Sequence, residues 1–241
     1  MTSKTHVSTG SVPFQEPKAP TSANGRQLIL DAAARQFRDE GYAATSLRGI
    51  AAACGMKAGS LYYHFSSKDD IVAEVLRIGV ERVFDEVRRE VMACPPNADA
   101  RTLLRTAVCA HLCALLELQS YTSANVRIFH QVPKTVRDGQ IRIRDAYERF
   151  WAALLTRCAS QGSFDQDRDL HLIRLFLINA MNGTLEWFHA GSQSVPAIAQ
   201  ELTELFLDGL NLRAKFAPKS RIKGMSNKTP SKRTRGTGKK R

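Results

Sequence analysis

Tyr62, Tyr63 and His64 follow one another in the stretch GMKAGSLYYHFSSKDDI, Gly55 to Ile71, soon after a run of alanines. Each side chain can hydrogen-bond, and three in succession cannot all enter one core, so some must face outward. Phenols and an imidazole on a surface, flanked by Arg48, Lys57 and Lys68, suit phosphate oxygens and base edges. Catalysis has no comparable support. No Ser/His/acid or Cys/His spacing stands out, no glycine-rich phosphate loop follows a strand pattern, and no cluster has metal-ligand spacing. The sequence therefore predicts no enzyme, no cofactor and no metal.

Three short helical segments are needed to present these residues. In GRQLILDAAARQFRDEGY an inward stripe of Ile29, Leu30, Ala33 and Phe37 runs up to Gly41, a natural stop. TSLRGIAAACGM offers Ser46 as N-cap, then Leu47, Ile50, Ala51 and Cys54 facing inward, and a second stop at Gly55. A third helix starts near Lys57 with Leu61 and Phe65 inward, which leaves Lys57, Gly59, Ser60, Tyr62, Tyr63 and His64 outside. Helix, glycine turn and helix with a small, polar, aromatic outer face make a helix-turn-helix. Ala58 and Gly59 let its N-terminus approach a base edge or phosphate closely; Tyr63 can offer its ring to a thymine methyl. Ser67 caps the following helix, with Lys68 at its positive end as a phosphate clamp pointing into solvent. A plain helical hairpin with its tyrosines half-packed is the alternative reading.

Beyond Lys68 the apolar residues recur at spacings of three and four, and no segment alternates with period two. The pattern predicts an all-α chain with helices at 26–40, 46–54, 58–64, 68–92, 99–120, 124–130, 134–161, 167–190 and 196–214. The last two carry broad apolar faces: Leu172, Leu175, Phe176, Asn179 and Met181 on one, Ile198, Leu202, Leu205, Phe206 and Leu210 on the other. Such a pair from each of two subunits makes a four-helix interface; intrachain core is the alternative.

The segment Asn24–Val83, through ILDAAARQF, GYAATSLRGIAAACGM and KAGSLYYHFSSKDDI, resembles the TetR family of bacterial transcriptional regulators. That resemblance implies that Ser46, Arg48, Lys57, Ala58, Gly59, Ser60, Tyr62, Tyr63, His64 and Lys68 lie where such proteins meet DNA. Lys57 departs from the family's frequent Ser or Thr cap, and Gly49 from a frequent acidic residue. A second resemblance covers RDAYERFWAALL, QGSFDQDRDL and NAMNGTLEWFHAGS, which look like the C-terminal domain of a TetR branch that represses fatty-acid or steroid-ring degradation and leaves DNA on binding acyl-CoA thioesters. Arg144, Tyr147, Glu148, Met181, Asn182, Trp187 and Gly191 match it; Gly183 stands where that branch has tryptophan. The implied ligand-binding set is Arg144, Tyr147, Met181, Asn182 and Trp187, in a pocket among helices 99–120, 134–161 and 167–190, with Arg142, Arg144 and Arg149 supplying cations at its mouth. Asn179 and Asn182 need buried partners, either a ligand carbonyl or a neighbouring helix.

The domain expectation is a tail at 1–23, a reading head at 24–84, a ligand-binding and dimerisation domain at 85–216, and a basic tail at 217–241. The net charge of +12 is concentrated in that last segment: ten Lys or Arg and no acid from Lys219 onward, against 23 basic and 22 acidic residues between Gly25 and Pro218. Both ends have the composition of disordered chain. The basic one either touches phosphates or keeps the protein soluble. Five cysteines without zinc spacing read as small buried residues or redox sensors, with Cys94, beside Pro95 and Pro96, the most exposed. No run of roughly 20 apolar residues spans a bilayer, and the N-terminus lacks a signal-peptide core. The whole reads as a cytoplasmic homodimer that binds a palindromic double-stranded operator and is released by a small apolar effector, an acyl-CoA on the second resemblance. The competing reading is a sequence-insensitive DNA-coating protein driven by the basic tail.

Overall fold

The computed structural model describes residues 22–163, 168–189, 191 and 193–211. Both tails of the sequence reading lie outside the described residues, apart from Ser22 and Ala23. Nine helices and no strand occur among the described residues. They are α1 (Ser22–Ala44), α2 (Leu47–Ala53), α3 (Ala58–Leu61), α4 (Lys68–Ala93), α5 (Ala100–Glu117), α6 (Gln119–Ile128), α7 (Lys134–Ser160), α8 (Leu170–Trp187) and α9 (Val195–Asn211).

Local chemistry accounts for most boundaries. Gly41 takes φ 82° and breaks the helical run of α1; Gly55, at φ 67°, turns the chain between α2 and α3. The Ser46, Ser67, Asp99 and Asp169 side chains accept from backbone N–H groups at the starts of α2, α4, α5 and α8. Several bounds shift by three or four residues, α1, α5 and α8 among them, and two further shifts bear on the sites. Regular helix in α3 ends at Leu61, and the aromatic triplet continues as a turn in which His64 N donates to the Leu61 carbonyl at 2.9 Å. Helix α6 begins five residues earlier than expected, because the chain breaks at Leu118 (φ −92°, ψ 32°) with neither glycine nor proline to mark it.

Two apolar cores result. The first gathers Ile29, Leu30, Ala33 and Phe37 of α1, Ile50 and Ala51 of α2, Leu61 and Phe65, and Ile71, Val72, Val75 and Leu76 of α4. It is closed by Tyr121, Ala124 and Ile128 of α6 and by Val132 and Val136. The second packs Val83 and Val87 of α4 against α5, against Tyr147, Trp151, Leu154 and Leu155 of α7, and against α8 and α9. Helix α4 therefore passes from one core to the other. At the crossing sits Gly79, where an added Cβ would stand 2.9 Å from the Tyr121 carbonyl oxygen of α6. Only a residue without a side chain lets these two helices approach so closely.

On α8 and α9, Leu172, Leu175, Phe176, Asn179 and Leu205 are exposed, forming an uncovered apolar face. Met181 and Ile198 belong instead to the inner core, and Leu202 and Phe206 pack against it; the Leu210 side chain lies outside the described residues. All five cysteines are free; Cys113, not Cys94, is the exposed one. No described helix is long and apolar enough to cross a membrane.

Candidate functional site

The outer face of the second and third helices is as open as the sequence requires. Ser46, Arg48, Lys57, Ala58, Gly59, Ser60, Tyr62 and Tyr63 are all exposed, and Tyr63 is the extreme at 81%. Two members behave differently. His64 is half-buried: its ring is edge-on to Tyr63 at 5.2 Å, and its Nε2 lies 2.9 Å from where a Cβ of Gly25 would be. Lys68 does not point into solvent. Its Nζ donates to the Tyr42 and Thr45 carbonyls at 2.9 and 3.1 Å and sits 4.1 Å from the Tyr42 ring centroid. The ammonium thus fastens the end of α1 to the start of α4. Beside it the Tyr42 hydroxyl donates to Asp69, and burial with that carboxylate pushes the phenol up to about 12.

The second site is a cavity of about 310 Å³. Its wall comes from five helices: Gly79, Val80 and Val83 of α4, His111 and Leu115 of α5, Thr122, Asn125 and Val126 of α6, Arg144, Tyr147 and Glu148 of α7, and Ile178, Asn179 and Asn182 of α8, with Phe129 and His130 just beyond α6. Of the sequence-predicted ligand residues it gathers Arg144, Tyr147 and Asn182. Met181 is 0% exposed in the core and Trp187 is 51% exposed at the end of α8; neither lines the cavity. On α8 the Met181 side chain turns into the core while its neighbour Asn182 lines the cavity. Arg142 and Arg149 are exposed elsewhere on α7. Asn179 is exposed and donates to the Leu175 carbonyl of its own helix at 2.8 Å, so it needs no second helix.

Arg144 dominates the electrostatics. Its guanidinium lies 3.5 Å from the Phe129 ring centroid and donates to the Asn125 side-chain oxygen, while its Nε is buried without a partner. Burial lowers its pKa to about 10, against the pull of Glu148, so the group stays cationic at neutral pH. Among the described residues no carboxylate is hydrogen-bonded to it. Glu148 is instead paired with the buried Arg174 at 2.9 Å, leaving two guanidinium groups beside one carboxylate. Asn125 passes the contact on, donating to the Leu76 carbonyl of α4 at 2.7 Å.

Helix α6 lines the cavity with one side. Its opposite side is tied to α1: the Tyr121 hydroxyl donates to Asp31 at 2.6 Å and accepts from Gln27 at 3.0 Å, and Arg38 donates to Ser120 at 3.2 Å. The walls contributed by α4 and α6, and His111 on α5, were not in the sequence-derived set. The available signal was that His111 is a polar residue on the otherwise apolar buried face of α5; Asn125, buried beside Thr122 and Ser123, gave none.

Two family models match the chain: bacterial regulatory proteins of the tetR family over residues 29–75, and the tetracyclin repressor-like C-terminal domain over residues 97–210. The HTH-type transcriptional repressor KstR2 of Rhodococcus jostii (strain RHA1) is 30% identical over 187 residues, covering 77% of this chain and 90% of that protein. The crystal structure of the TetR family regulator PfmR from Thermus thermophilus superposes with a TM-score of 0.66 at 27% identity, over 76% of this chain and 98% of that one. A structure of AibR in complex with isovaleryl coenzyme A and operator DNA shares the fold, with a TM-score of 0.63 at 22% identity, over 75% of this chain and 97% of that one.

Proposed function

The chain belongs to the TetR family of bacterial regulatory proteins, and from that premise we propose that its cavity takes an acyl thioester whose binding releases the protein from a palindromic operator. It is a DNA-binding transcriptional repressor that acts as a dimer and responds to a ligand. Arg144 carries the ligand reading. A part-buried cation whose buried Nε has no partner is costly unless an anion joins it, and the apolar walls around it suit a hydrocarbon group. AibR, of the same fold, was crystallised with both an acyl-CoA and DNA, which supports a thioester in this architecture.

At the DNA, Tyr62, Tyr63, Ser60 and Arg48 reach bases and phosphates, Ser46 and Lys57 flank them, and Ala58 and Gly59 allow close approach. His64 and Lys68 contribute mainly by fixing the head, with phosphate within their reach. Two such heads must stand about 34 Å apart, or a fitting multiple, to read one face of the duplex. The exposed face of Leu172, Leu175, Phe176 and Leu205 sets that spacing by pairing two copies.

A ligand that fits only one arrangement shifts the population toward it. Here the cavity has walls from both α4 and α6. Occupancy at Arg144 competes for the guanidinium that holds Asn125, and Asn125 holds α4 at Leu76. Because α6 is tied to α1 by Tyr121, Asp31 and Arg38, spreading α4 from α6 rotates the head and breaks the half-site spacing.

The test titrates a preformed operator complex with decanoic acid and with decanoyl-CoA. Release by the thioester, lost in Arg144→Ala, is the expected result. Equal release by the free acid, or release by neither, overturns the thioester reading and leaves the repressor assignment standing.

A further inference from the structure

The inner end of the cavity carries polarity that an alkyl chain does not use. His111, on α5, is 2% exposed and lines the cavity. Its Nδ1 is 2.6 Å from the Tyr147 hydroxyl, and the two rings stack 9° from parallel. Its Nε2 is buried with no partner. Trp151 packs edge-on against both rings and leaves its own indole N–H unpartnered.

Either tautomer leaves one proton over. If the Tyr147 hydroxyl donates to Nδ1, the imidazole proton is on Nε2, where nothing accepts it. If Nδ1 donates to the hydroxyl oxygen, the phenolic proton is the spare one. The Asn182 amide lines the same space, near enough to offset part of the burial effect on the imidazole, but its geometry closes no full hydrogen bond on Nε2. Burial holds the imidazole neutral, with a pKa of about 4, so the pair offers a neutral donor and not a second cation. Arg144 and Tyr147 are three residues apart on α7, so the anion seat and this donor open into the cavity from neighbouring turns.

We propose that the effector carries a neutral oxygen, a ketone or an alcohol, that accepts the spare proton of the His111–Tyr147 pair, which makes it an oxygenated acyl compound and not a plain alkanoyl one. This rests on the acyl-thioester reading of the same cavity. A buried donor left unpaired penalises any ligand lacking the matching acceptor, so the pair weakens the binding of ordinary fatty acyl groups without abolishing it.

The experiment measures affinities of the full-length dimer by calorimetry for decanoyl-CoA and for its isomers with an oxo group walked from carbon 3 to carbon 9. At least one oxo isomer is expected to bind about tenfold more tightly than decanoyl-CoA. That preference is expected to collapse in His111→Leu and in Tyr147→Phe; the second variant keeps the ring and guards against a folding defect in the first. If decanoyl-CoA binds as tightly as every oxo isomer, or if the preference survives in both variants, the inference is overturned while the thioester reading stands. If no thioester of the series binds the wild-type dimer, the reading of the cavity fails and takes the inference with it.

Discussion

Acid should loosen this protein through one buried imidazole. Buried His111 titrates at about 4, against 6.5 for the free side chain, because burial in the aromatic cluster disfavours the cation and the Asn182 amide offsets only part of that. Between those two values the unfolded chain binds a proton that the folded chain refuses, so stability is full above pH 6.5 and falls as the pH drops toward 4. The shift of 2.5 units corresponds to about 3 kcal/mol at the acid limit, and about 2 kcal/mol is already lost at pH 5. That is a large fraction of an ordinary domain's stability. The assay is urea unfolding followed by circular dichroism at pH 7 and pH 5, at one protomer concentration because dimerisation adds its own term. His111→Gln keeps a hydrogen-bonding group of similar length and cannot titrate. Its loss of stability between the two pH values should be smaller than that of the wild type by about 2 kcal/mol. Parallel losses in the two proteins would refute the reasoning, since the carboxylates and the other five histidines are common to both.

Tyr63→Ala should abolish specific operator binding with the melting temperature unchanged, whereas Lys68→Ala, which removes two hydrogen bonds and a ring contact, should also cost about 2 kcal/mol of stability; gel shift and thermal melts separate them. Removing residues 218–241 deletes ten positive charges, so affinity should fall on all sequences and the slope of log K against log salt should become shallower, with operator preference retained. Gly79→Ala gains about 1 kcal/mol of helix propensity but drives a methyl to 2.9 Å from the Tyr121 oxygen; overpacking of about 1–3 kcal/mol should win, read as a lower urea midpoint. Phe176→Glu, in the middle of the exposed apolar face, should yield monomers in analytical ultracentrifugation and lose operator binding.

The helices were legible because capping and periodicity are local. Ser46, Ser67, Gly41 and Gly55 mark ends that the chain obeys, and the inward stripes of the first three helices are the buried ones, except Leu47 and Cys54, which are only partly covered. The start of α6 was not legible, since Leu118 breaks the helix without a residue type that announces it. The cavity was half legible. Arg144, Tyr147 and Asn182 came from a resemblance that fixes residue types along a chain but not which way each faces, so Met181 and Trp187 travelled with them although one is core and the other surface. The walls from α4 and α6 depend on Gly79 meeting the Tyr121 backbone, a contact between residues 42 positions apart. Lys68 shows the same limit: a lysine at a helix N-terminus reads as a free phosphate ligand until the fold brings the Tyr42 and Thr45 carbonyls under it.

The dual allegiance of α6 bears on how this molecule can be cut and recombined. A graft that takes the chain only as far as the middle of α4 would strip Tyr121, Ala124 and Ile128 from the first core and remove the acceptor and donor that Asp31, Gln27 and Arg38 rely on. Such a fragment would expose apolar surface along one whole side of α1 and would aggregate before it met an operator. The smallest transplantable reader is therefore discontinuous in sequence, α1 to α4 together with α6, and a hybrid with another sensor must either carry that strip of α6 or redesign the α1 face to match its host.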